Sequence, residues 1–145
     1  MLAALDLYEE QIRAHGIELA TELKSCDAQG DPAQMQEAIG HIVQNAISAM
    51  PQGGTLKVTL SEVNGDALKL SVSDTGKGIP AAMRDRIFDP FFTTKEGPGA
   101  VGMGLSISHS IVEAHHGKLL VESAEGHGAT FTIVLPAAAA AAHLR

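Results

Sequence analysis

The 145-residue chain is 45% hydrophobic, carries a formal charge of −7 and holds one cysteine. That length and apolar content suit one ordinary core, the lone Cys26 excludes an internal disulfide, and neither a CxxC nor a mixed Cys/His pattern offers a structural zinc site. The negative charge, with one Tyr and no Trp, speaks against a nucleic-acid partner, and the absence of a long apolar run or a basic-then-apolar leader speaks against direct membrane insertion, so the chain reads as cytoplasmic.

Leu2, Leu5 and Ile12 on a polar background predict a short helix, or the tail of a longer one, over residues 1–14, ended by His15-Gly16. Ile17, Leu19, Thr21 and Leu23 then alternate with Glu18, Ala20, Glu22 and Lys24, the pattern of a half-buried strand. After a polar loop, Asp31-Pro32 opens a long helix, since Asp caps free amides and Pro at the first helical position forfeits no hydrogen bond. Met35, Ala38, Ile39, Ile42, Val43, Ala46, Ala49 and Met50 fall on one face of it, and Pro51 to Gly54 stop it. Strands over 55–63 and 67–73 follow, joined by Asn64-Gly65-Asp66, a tight-hairpin signal that implies antiparallel pairing.

The second of these strands runs into Asp74-Thr75-Gly76-Lys77-Gly78-Ile79-Pro80. An apolar alternation that stops on a carboxylate and gives way to glycines delivers one acid to the lip of a pocket. Gly76 and Gly78 are read as positions of positive φ and close approach to a flat ligand, and Asp74 as the acceptor for an exocyclic amine such as that of adenine. Residues 76–102 form a long loop with one helical turn at 84–88, and long loops in small domains are functional lids. Three of the four phenylalanines, Phe88, Phe91 and Phe92, bunch in it beside Thr93, Thr94 and Lys95, which offers a cation to a polyphosphate. A helix over 103–116 ends at Gly117, strands over 118–123 and 130–135 complete the sheet, and a six-alanine tract from 137 reads as a frayed tail.

Two further features carry chemistry. Asn45 lies at the border of the long helix's apolar stripe, where an amide oxygen suits Mg²⁺ that keeps its waters and takes phosphate oxygens alongside. Gly97-Pro98-Gly99-Ala100-Val101-Gly102-Met103-Gly104 leads into a helix whose free amides favour phosphate. It matches GxGxxG literally, with Glu122 about twenty residues on, but no buried apolar strand precedes it, so the dinucleotide reading lacks its structural context.

Asn45-Ala46, Asp74 to Gly78, Phe88 to Lys95, Gly102-Met103-Gly104-Leu105-Ser106-Ile107 and Gly126 to Phe131 together resemble, in the same order, the N, G1, F, G2 and closing glycine boxes of sensor histidine kinases. The resemblance covers residues 17–135. It implies an α+β fold, the two-layer α/β sandwich of the Bergerat type shared with gyrase, Hsp90 and MutL: a mixed, mostly antiparallel sheet covered on one face by about three helices, with an ATP lid. By the same resemblance the ligands are ATP and Mg²⁺. Asp74 would take the adenine amine, Gly76, Gly78 and Ile79 the base, Asn45 the metal, and Gly102, Met103 and Gly104 the phosphates. Phe88 would pack the lid, Thr94 and Lys95 would meet the nucleotide, Leu105 would close the pocket floor, and Thr130 would support the adenine through water. Catalysis would rest on Asn45, His41 and Lys95.

Two departures from the family pattern stand out. Position 41, one turn before Asn45, is usually a second Asn and is His41 here; hydrolysing relatives usually hold a Glu there, so its absence favours a kinase over an ATPase. None of the seven histidines has the setting of a phosphoacceptor, which implies that the acceptor sits on a separate histidine-containing dimerisation domain and that phosphate then passes to a response regulator. The expected organisation is 1–14 as the residual end of a dimerisation helix or a linker, 15–136 as the catalytic domain and 137–145 as a tail. A hydrolysing ATPase of the same fold, or an interaction module that has lost its nucleotide, are the alternatives.

Overall fold

In the computed structural model, residues 5, 8–24, 31–63, 67–79, 87, 104–123 and 126–136 are described. Among the described residues three helices, α1 (Glu9–Ala14), α2 (Pro32–Ser48) and α3 (Gly104–Ala114), accompany five strands, β1 (Ile17–Leu23), β2 (Gly54–Val63), β3 (Ala67–Asp74), β4 (Lys118–Ser123) and β5 (Ala129–Pro136). The sheet order is β1-β2-β3-β5-β4. Among the described strands the β1–β2 pair is parallel, and β2–β3, β3–β5 and β4–β5 are antiparallel.

The two-residue side-chain period divides the sheet into an inner and an outer face. Leu56, Val58, Leu70, Val72, Phe131 and Ile133 are buried on the inner face, in one core with Ile39, Ile42, Val43 and Ala46 of α2 and Val112 of α3. Each large apolar side chain so buried contributes about 2 kcal/mol by leaving water. That sum, more than helix propensity, holds the helices on the sheet. The outer face carries Ser71, Ser73, Thr130 and Thr132, paired across strands by Ser73–Thr130 (2.8 Å) and Ser71–Thr132 (3.3 Å) hydroxyl contacts.

Helix α2 starts where Asp31 predicts: its Oδ1 accepts the amides of Ala33 (2.9 Å) and Gln34 (3.3 Å). Helix α3 runs antiparallel beside it. Gly104 lies against His41, Ser108 Oγ donates to the Ala38 carbonyl at 2.7 Å in full burial, and His115 Nε2 accepts the Asp31 amide at 3.0 Å. The His115 ring is neutral in that arrangement, because Nε2 must offer a lone pair while Nδ1 donates to the Ile111 carbonyl at 2.8 Å.

In the segment expected as the residual end of a dimerisation helix or a linker, Leu5 and Ile12 are buried in the common core and Tyr8 lies against Gly40 of α2. Two expectations change. Strand β1 is an edge strand, and beyond Ile17 its residues remain exposed, Leu19 and Leu23 among them. Helix α3 ends not on Gly117 but on His116, which takes the left-handed conformation (φ 63°) while the Gly117 amide reaches back to the Val112 carbonyl at 3.0 Å. Gly117 is needed for a different reason, since a Cβ there would stand 2.5 Å from the Val134 carbonyl oxygen. His116→Gly should therefore stabilise the chain by about 0.5–1 kcal/mol, read as a higher urea midpoint at unchanged slope.

Among the described residues no helix is long and apolar enough to cross a membrane. The expected tail, 137–145, lies outside the described residues, as does all of the expected lid from 80 to 102 except Ile87, which is buried in the core.

Candidate functional site

Strand β3 ends on Asp74, whose side chain points to the inner face and is 5% exposed. Its Oδ1 accepts the Gly76 amide at 2.8 Å, while Oδ2 is buried with no hydrogen-bond partner among the described residues. Burial raises the carboxyl above the usual aspartate value, and the Gly76 and Ala129 amides oppose that rise. A buried acceptor left unpartnered costs free energy until something donates to it. An exocyclic amine is such a donor.

The turn after Asp74 is fixed from three sides. A Cβ on Gly76 would lie 2.4 Å from the Ala49 carbonyl oxygen, so the turn's backbone rests directly on the C-terminal end of α2. Gly76 is thus required for close approach to that helix and does not take positive φ; Gly78 does, at 73°. The 126–128 turn closes the second side, with the Gly126 amide on the Lys77 carbonyl (2.7 Å) and Gly128 so close to the Asp74 carbonyl that a Cβ would overlap it. On the third side Ser123 Oγ accepts the Ile79 amide (2.7 Å) and donates to the Gly128 carbonyl (2.8 Å). Ser123 is a positioning residue that inspection of the motifs missed; its place at a strand end just before a glycine-rich turn is the available signal.

Helix α2 joins the two ends of the site. Ala49 meets the Asp74–Gly78 turn, His41 meets Gly104 at the start of α3, and half-buried Asn45 lies midway between them on the same helical face. Positions 41 and 49 are two turns apart, about 12 Å along the axis. Asp74, Gly76, Gly78 and Ile79 therefore gather at one end of a seam and His41 and Gly104 at the other. Leu105 and Ile79 are partly buried against the core flanking it.

Thr130 is elsewhere. Its hydroxyl is paired with Ser73 on the outer face, so it cannot back a ligand held by Asp74. The residue opposite Asp74 in register is Ala129, which brings a methyl group rather than a hydroxyl to the inner face. Phe88, Thr94, Lys95, Gly102 and Met103 lie outside the described residues. Among the described residues no cluster of three or more His, Cys, Asp or Glu could hold a metal. Asn45 fits Mg²⁺ only as one ligand beside phosphate oxygens and water, which is how that ion is commonly held.

Residues 30–139 match the family of histidine kinase-, DNA gyrase B- and HSP90-like ATPases, and the chain belongs to that family. It is 47% identical over 111 residues to sensor histidine kinase ZraS of Escherichia coli (strain K12), a match that covers 76% of this chain but 23% of that protein. The fold superposes on full-length ShkA in complex with AMPPNP with a TM-score of 0.82 at 26% identity, over 93% of this chain and 28% of that one. It also superposes on histidine kinase ThkA in complex with response regulator protein TrrA, with a TM-score of 0.76 at 31% identity, over 92% of this chain and 38% of that one.

Proposed function

We propose that the chain is the catalytic ATP-binding domain of a cytoplasmic sensor histidine kinase, which binds Mg·ATP along α2 and presents the γ-phosphoryl group to a histidine on a separate dimerisation domain. The observation that carries this reading is the unpartnered, buried Oδ2 of Asp74 at one end of the seam, an acceptor waiting for the adenine amine. The N-terminal end of α3 lies two helical turns away, where the positive end of its dipole suits phosphate. Asn45 between them would hold a magnesium ion, which would supply positive charge to offset that of the phosphates. His41, Gly102 and Met103 would meet the phosphates, Thr94 and Lys95 would add contacts from the lid, and Phe88 would pack it.

This chain's own contribution to transfer is then positioning and charge compensation. The attacking imidazole comes from the dimerisation domain, and an aspartate of a response regulator receives the phosphate from it. Relatives named as sensor histidine kinases, and a neighbour solved with a response regulator, support the response-regulator partner.

Calorimetric titration with a non-hydrolysable ATP analogue tests the reading. The wild-type chain should bind it more tightly with Mg²⁺ than with EDTA. Asn45→Ala should bind it equally in both, with affinity lowered about tenfold relative to wild type in Mg²⁺. Metal-independent binding by the wild type would remove the magnesium assignment.

A further inference from the structure

The β2–β3 ladder pairs Lys57 with Ser73 and Leu56 with Asp74, and one step further Thr55 would face Thr75. There the backbone pairing stops. The Thr55 amide is accepted at 3.0 Å by the side-chain hydroxyl of Thr75, in place of the main-chain carbonyl that a continued ladder would offer. The same hydroxyl donates to Met50 Sδ at 3.7 Å, just past the C-terminal end of α2. Its proton and a lone pair are thus both committed, which holds the side chain in one rotamer. Gly54 leaves the room for this, since a Cβ there would stand 2.6 Å from both Thr75 Oγ1 and Met50 Sδ.

Because a side chain satisfies the Thr55 amide, the main chain of Thr75 is released from the sheet and turns toward Gly76. The Gly76 amide then donates to Asp74 Oδ1 at 2.8 Å, which leaves the buried Oδ2 without a partner among the described residues. Thr75 links the two arrangements. Its side chain is tied to β2 and to the residue after α2, and its backbone joins Asp74 to Gly76.

We infer that Thr75 is a positioning residue for the base end of the site, its hydroxyl holding the Asp74–Gly76 turn so that Asp74 Oδ2 meets the exocyclic amine of the base. The inference rests on the nucleotide reading given above and deepens it, assigning part of the preference for adenine to a residue outside the ligand contacts named there. Thr75 is exposed, so removal of its hydroxyl leaves the core intact and lets the Thr55 amide turn to water. What is lost is the placement of one carboxylate oxygen, not the fold.

Titrations with ADP and with IDP, which carries an oxygen in place of the exocyclic amine, test the inference. The phosphates are identical, so the ratio of the two affinities reads the contact to the amine. The wild type should prefer ADP. Thr75→Val, which keeps the shape and removes the hydroxyl, should lose about fivefold of that preference. Thr75→Ser, which restores the hydroxyl, should keep it. A change that merely loosened the fold would weaken both nucleotides together and leave the ratio where it was. An unchanged ratio in Thr75→Val, or an equal fall in Thr75→Ser, overturns the inference while the nucleotide reading stands. A wild type that binds ADP and IDP alike removes the nucleotide reading and the inference with it.

Discussion

Asp74→Asn should abolish measurable ATP binding and at the same time raise the melting temperature of the nucleotide-free chain. The carboxylate is buried, receives the Gly76 amide on Oδ1 and offers Oδ2 to nothing in the described protein. Replacing it by a neutral amide relieves a desolvation cost of about 1 kcal/mol. The same change takes one acceptor from the adenine amine and sets an N–H₂ group in its place, which costs at least about a hundredfold in affinity at a buried site. Stability and binding thus move in opposite directions, which a variant that merely loosened the fold could not produce.

The pH dependence of that pair follows from the raised carboxyl. Between the ordinary value of 3.8 and the raised one, folded Asp74 holds a proton that the unfolded chain has released, so wild-type stability falls as pH rises through that window. Above the window the penalty is constant, and below it both states are protonated and the penalty disappears. The melting-temperature gap between Asp74→Asn and the wild type should therefore be open at neutral pH and close as the pH is lowered through the window. A gap independent of pH would assign the stabilisation to something other than the buried charge.

How much of this was legible beforehand depended on whether a residue's role is local. The cap at Asp31, the hairpin between β2 and β3 and the carboxylate at the end of β3 are consequences of side-chain chemistry and period within a few positions, and they appear where the pattern puts them. Roles set by a partner distant in sequence were less visible. Gly76 looked like a residue of positive φ, yet its constraint is the Ala49 carbonyl, 27 positions earlier, and only the folded packing reveals it. Thr130 was placed in the pocket from its motif, although counting by twos from buried Phe131 and Ile133 already assigns the inner face to Ala129. Leu19 and Leu23 alternate like core residues, but alternation cannot tell an edge strand from a central one.

Gly76→Ala should be among the most damaging single-methyl changes in the chain. The built Cβ falls 2.4 Å from the Ala49 carbonyl oxygen and 2.9 Å from both the carbonyl carbon and Cβ of that residue, which are the end of a helix and cannot swing aside as a long side chain would. Either α2 shifts or the turn lifts, and lifting the turn also strains the Lys77 amide contact to the Ala49 carbonyl (3.4 Å) and the Gly126 amide bond to Lys77. Overpacking against rigid backbone costs about 2–4 kcal/mol. Gly126→Ala is the matched comparison, because nothing stands within 4 Å of its Cβ and only the positive φ of 82° resists the change, at about 1 kcal/mol. Urea midpoints should rank wild type, Gly126→Ala and Gly76→Ala in falling order. Nucleotide affinity should drop steeply for Gly76→Ala alone, since that lift carries Asp74 away from the seam on α2. Equal midpoints for the two variants would mean that the turn can leave α2 at no cost, and the base end of the site would lose the contact that fixes it.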